Sequence, residues 1–107
     1  MRFFLISDNI DTLIGLRLAG IKGVVVHERE EVEKALDDVL KDESVGVILM
    51  TQKIAQIIPE RVQELKLSPH LPLIFVIPDR HGWRGERDFI TKYIESAIGV
   101  RLDERSG

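Results

Sequence analysis

The side chains able to do chemistry are spread thinly along these 107 residues. His27, His70 and His81 stand far apart and show none of the short spacings that gather imidazoles on one metal ion. Ser7, Ser44, Ser68 and Ser96 lack the G-x-S-x-G context of a nucleophile elbow, and no histidine–acid pairing follows from the chain alone. There is no cysteine, hence no thiolate metal site and no disulfide framework. Asp8 follows the first apolar run, a place where a carboxylate helps hold a metal in receiver-like folds. One carboxylate without neighbours is not a site, and a capping or turn role accounts for it. The expectation is a chain with no catalytic residue, no cofactor and no metal.

The first strand-to-helix turn tests the nucleotide hypotheses that an α/β pattern invites. Ser7-Asp8-Asn9-Ile10 contains no glycine, so it offers neither the G-x-G-x-x-G approach to a pyrophosphate nor the nest and lysine of a P-loop. A phosphoaccepting receiver needs an Asp at the end of its third strand, and that position here is Met50-Thr51. Composition argues the same way. The net charge of −3 gives no basic face for nucleic acid. Acidic charge gathers between Glu28 and Glu43, with eight acids against three bases. At 44% hydrophobic and 31% charged residues the chain reads as one globular domain. MRFFLIS carries no signal-peptide pattern and no run reaches membrane-spanning length, so a cytoplasmic chain is expected, peripheral to any membrane through a partner.

The elements follow from hydrophobic periodicity. Phe3 to Ile6 is a continuous apolar run, as a strand buried on both faces requires. The next segment, DNIDTLIGLRLAG from Asp8 to Gly20, is a helix that Asp8 or Asp11 can cap and Gly20 can end. Ile10, Leu13, Ile14 and Leu18 lie on one stripe, read as the sheet-facing one; Leu16 falls off it and, with Arg17, points at something other than the sheet. Gly15 is either a close-approach point or a tolerated surface glycine. A short strand, Val24 to Val26, follows the turn between Gly20 and Gly23. A strongly amphipathic helix then carries Val32, Ala35, Leu36, Val39 and Leu40 on its inner face.

Val45 to Met50 is the third strand. From about Gln52 a helix places Ile54, Ile57, Ile58, Val62 and Leu65 inward, and Pro59 must kink or restart it. Leu71 to Ile77 is the fourth strand, with Pro72 and Pro78 at its ends. Residues 79–87 form a polar, mobile loop, and a last helix and tail occupy 88–107, within the same domain as the 1–78 core yet able to detach from it. Alternating strands and helices with right-handed crossovers predict an α/β fold: a four-stranded parallel sheet of order 2-1-3-4 with helices on both faces, a receiver-like or Rossmann-like three-layer sandwich.

Candidate binding residues are accordingly those suited to interfaces. Trp83 lies among Arg80, Arg84 and Arg87, residue types that anchor protein contacts, or else it folds back over the sheet edge. Phe89, Tyr93, Ile94 and Ile98 line one face of the last helix, as core or as a detachable face. With Leu16, Arg17, Trp83 and Arg84 they make up the candidate partner-binding set.

The string DTLIGLRLAGI resembles the D-x-x-T/V-x-x-GFRLAGI signature of the F subunits of archaeal and bacterial V-type (A-type) rotary ATPases, with Leu16 where that family usually has Phe. VGVILMTQKIAQII from Val45 to Ile58, LPLIFVIP from Leu71 to Pro78 and AIGVR from Ala97 to Arg101 follow in order and at fitting distances. The resemblance implies a non-catalytic rotor part of the central stalk, coupling ATP turnover to proton or sodium transport. Its implied partners are the coiled-coil D subunit of the stalk, the catalytic A/B ring through the C-terminal segment, and the membrane rotor's adaptor subunit. A stand-alone receiver-like regulatory or small-ligand-binding domain is the alternative.

Overall fold

The computed structural model describes residues 2–78. Strands β1 (Arg2–Ser7), β2 (Lys22–Val25), β3 (Val45–Thr51) and β4 (Leu73–Ile77) form one parallel sheet of order β2-β1-β3-β4, as predicted. β3 is buried at all seven positions, because it is central in the sheet and covered on both faces. β2 begins two residues earlier than its β-branched run. Gly23 pairs with Leu5, and a Cβ at Gly23 would stand 2.5 Å from the Leu5 carbonyl oxygen, so only glycine lets the two strands approach.

Four helices fill the connections: α1 (Ile10–Leu18), α2 (Arg29–Leu40), α3 (Gln52–Ile57) and α4 (Pro59–Leu67). Pro59 restarts the helix rather than kinking it. It sits in the first turn of α4, where its missing N–H has no intrahelical partner to lose. One face of the sheet packs Ile6, Ile48, Met50 and Ile74 against Val32, Leu36 and Val39 of α2, Ile54 of α3, and Ile58 and Val62 at the start of α4. The other packs Phe3, Leu5, Val47, Leu49 and Ile77 against Leu13 and Leu16 of α1, together with Ile21.

The outer surface of α2 is polar and tied to α4 by ions. Arg29 meets Glu33 at 2.9 Å and Glu60 at 2.6 Å, while Arg61 meets Asp37 at 2.8 Å and Glu33 at 3.3 Å. Glu31 reaches back to accept from the backbone N–H groups of His27 and Glu28, both at 3.0 Å, closing the first turn of α2.

Two expectations for α1 are corrected. Its N-cap is Asn9, whose Oδ1 accepts from the Thr12 N–H at 2.7 Å, so neither Asp8 nor Asp11 does that work. Its orientation also differs from the predicted stripe. Leu16 is fully buried, whereas Ile10, Ile14 and Leu18 are 55%, 50% and 63% exposed. At about 100° per residue, Leu13 and Leu16 are about 60° apart, and the ridge of Ile10, Ile14 and Leu18 lies opposite them. The sheet accepts the pair continuous with Leu5 and Leu49, and the longer stripe is turned outward. Gly15 is buried, and Gly20 ends the helix at φ +88°.

Candidate partner-binding surface

In an open parallel sheet the ligand crevice lies beyond the strand C-termini where the order reverses, here between β1 and β3. At that point the chain's own polar groups hydrogen-bond one another. Ser7 and Thr51, the last residues of these two strands, are both buried. Ser7 Oγ donates to the Asn9 carbonyl at 2.7 Å and accepts from the Asn9 N–H at 3.0 Å. Thr51 Oγ1 accepts from the Asp8 N–H at 3.2 Å, which ties the first loop to β3. Asn9 Nδ2 donates to Asp8 Oδ1 at 3.3 Å, so the Asp8 carboxylate is engaged locally. Donors that an α/β nucleotide site would aim at phosphate are here directed at neighbouring side chains. Among the described residues no three acids, histidines or cysteines come together as a metal site.

The remaining surface divides by chemistry. The α2–α4 side is charged and ion-paired. Arg29 and Arg61 are held protonated beyond the ordinary arginine value, Arg29 first by its hydrogen bond to Glu33 and Arg61 first by its bond to Asp37. The opposite side presents the apolar ridge of α1. At the β4 edge a groove of about 490 Å³ runs between Leu65, Lys66 and Ser68 on one wall and Leu73 to Val76 on the other. Leu73 of its wall is exposed, and exposed Leu67 and Leu71 lie near the groove in sequence. No helix among the described residues is long and apolar enough to cross a membrane.

The candidate set separates accordingly. Leu16 is a core residue with no surface to offer a partner, because Leu13 and Leu16 together seat α1 on the sheet. Arg17 is exposed on the same helix. Trp83, Arg84, Phe89, Tyr93, Ile94 and Ile98, with the expected loop at 79–87 and helix and tail at 88–107, lie outside the described residues. Ile10, Ile14 and Leu18 were missed as surface residues. The one available signal was that α1 is apolar on all sides, which in a helix implies contacts on both flanks.

Fold and site together define a doubly wound parallel α/β domain in which hydrogen bonds of Ser7, Asp8, Asn9 and Thr51 tie the ends of β1 and β3 together and whose first helix carries apolar residues outward. A family model described as "ATP synthase (F/14-kDa) subunit" matches residues 4–94. Among curated proteins, the F subunit of the A-type ATP synthase of Pyrococcus furiosus is 35% identical over 107 residues, covering 95% of this chain and 98% of its own length. The corresponding F subunits of Methanocaldococcus jannaschii and Methanothermobacter thermautotrophicus are 32% and 34% identical, over 95% and 86% of this chain and 99% and 88% of their own. The chain belongs to the ATP synthase F/14-kDa subunit family.

Proposed function

We propose that this chain is a non-catalytic rotor component in the central stalk of an A-type or V-type ATPase, bound to the coiled-coil D subunit. The observation that carries the reading is the family match, which runs through residues 4–94 and agrees with relatives matched over 98–99% of their own length. The first strand-to-helix turn, which has no glycine and turns the Asp8 and Asn9 N–H groups onto Thr51 and Ser7, supports a role in assembly over one in nucleotide chemistry. In this role the domain adds mass and contact surface to a turning shaft and transmits torque through packing. It has no chemical step of its own. The segment from residue 88 onward reaches the catalytic A/B ring and influences its ATPase rate, and the stalk meets the membrane rotor through an adaptor subunit. Ion transport by the complex, proton or sodium, is coupled through that shaft, and the chain works on the cytoplasmic side of the membrane.

Co-expression with the coiled-coil D subunit tests the reading. A stable one-to-one complex is the expected result, together with no calorimetric binding of Mg-ATP to the isolated chain at micromolar concentrations. A chain that ignores the coiled coil and binds Mg-ATP or a divalent cation would be a stand-alone receiver-like or ligand-binding domain instead.

A further inference from the structure

We infer that the outward ridge of α1, Ile10–Ile14–Leu18, is the surface on which a helical stalk partner seats, with Asp11 and Arg17 setting its register. The inference rests on the rotor-component reading and puts its contact on named residues. Three apolar side chains at i, i+4 and i+8 are each at least half exposed on a helix of nine residues. Such a row is the ridge that helices insert into one another's grooves, and at 1.5 Å per residue it is about 12 Å long, two turns of contact.

The contrast with α2 shows that this is not the ordinary outer face of a helix in this protein. α2 turns its glutamates, aspartates, Arg29 and Lys34 to solvent and pairs several of them. α1 has a charge only at Asp11 and Arg17. At about 100° per residue these two lie roughly 60° to either side of the ridge's mid-line, Asp11 near the N-terminal end and Arg17 near the C-terminal end. Opposite charges diagonally flanking an apolar seam are the arrangement by which paired helices choose partner and direction. The complementary partner is therefore an α-helix with an apolar stripe, a basic residue opposite Asp11 and an acidic one opposite Arg17. The buried contacts of α1 run through Leu13 and Leu16, so the ridge can be altered without dismantling the fold.

The test titrates the coiled-coil stalk protein of the source ATPase into the full chain and into variants whose folding is checked by circular dichroism and melting. Ile14→Asp is expected to weaken binding at least tenfold. Asp11→Lys and Arg17→Glu are expected to weaken it a few-fold, more at low salt than at high salt. Lys34→Glu on the α2 face leaves it unchanged. If Ile14→Asp melts early, Ile14→Ser serves in its place. Wild-type binding that Ile14→Asp changes by less than twofold overturns the ridge assignment while leaving the rotor-component reading intact; no wild-type binding overturns both. A self-dimer split by Ile14→Asp gives the ridge to a second copy and overturns the assignment. So does hydrogen exchange in which α1 of the free full chain is already protected as strongly as in the complex, since the chain's own C-terminal segment would then cover it.

Discussion

The orientation of α1 yields a sharp stability contrast between two residues that lie two positions apart. Leu16→Ala removes three carbons from a fully buried site in the cluster of Leu5, Leu13 and Leu49. At about 0.8 kcal/mol per buried carbon the lost transfer free energy is about 2.4 kcal/mol, and the unfilled cavity raises the cost to about 3 kcal/mol. Ile14→Ala removes the same number of carbons from a side chain that is half exposed. About half of the transfer loss applies, no cavity forms, and the better helix propensity of Ala returns a few tenths of a kcal/mol, leaving less than about 1 kcal/mol. Urea unfolding followed by circular dichroism reads the difference. With a slope of about 1.5 kcal/mol per M, Leu16→Ala lowers the midpoint by about 2 M and Ile14→Ala by less than about 0.7 M. Equal shifts, or a larger one for Ile14→Ala, would refute the assigned face of α1 and the partner ridge derived from it.

Gly23→Ala is expected to cost about 2 kcal/mol or more in thermal melts, since the new methyl group meets the Leu5 backbone, which cannot yield without parting β1 from β2. Gly20→Ala costs about 1 kcal/mol for a different reason, the left-handed φ of +88°, with open space around it. Asn9→Ala removes the side-chain cap of α1 and lowers stability by about 1 kcal/mol, read by the same melts; an unchanged melting temperature would return the cap to Asp8 or Asp11. Acid response is tied to Glu31, whose carboxylate lies below its ordinary value of 4.5 because it accepts from the Glu28 and then the His27 backbone N–H groups. A carboxylate depressed in the folded state stabilises fully above its unfolded value and loses that contribution as pH falls through the folded one. Glu31→Gln should therefore flatten the stability–pH curve on the acid side of pH 4.5 and leave its slope at neutral pH unchanged.

Local pattern alone placed β1, β3 and α2, and located β2 and β4 to within two residues of their observed bounds, Lys22–Val25 and Leu73–Ile77. Val45–Thr51 is an uninterrupted run without charge because its strand is covered on both faces, and α2 separates charge from apolar side chains so completely that only one orientation is possible. The observed sheet order is the one expected among those that right-handed crossovers allow, and Pro59 marked the break between α3 and α4 to the residue. What the pattern left undecided was α1. Its apolar residues surround the axis, so periodicity offered two faces and the longer row was the wrong one. The sheet decided the matter, since Leu13 and Leu16 fit against Leu5 and Leu49 and leave Ile10, Ile14 and Leu18 outside. The same holds for Asn9, which stands beside two equally plausible acids and is the cap because its side chain meets the Thr12 N–H. The tie that Ser7 and Thr51 make with the first loop was equally invisible in sequence. Those residues are 44 positions apart, and only strand pairing brings them to one end of the sheet.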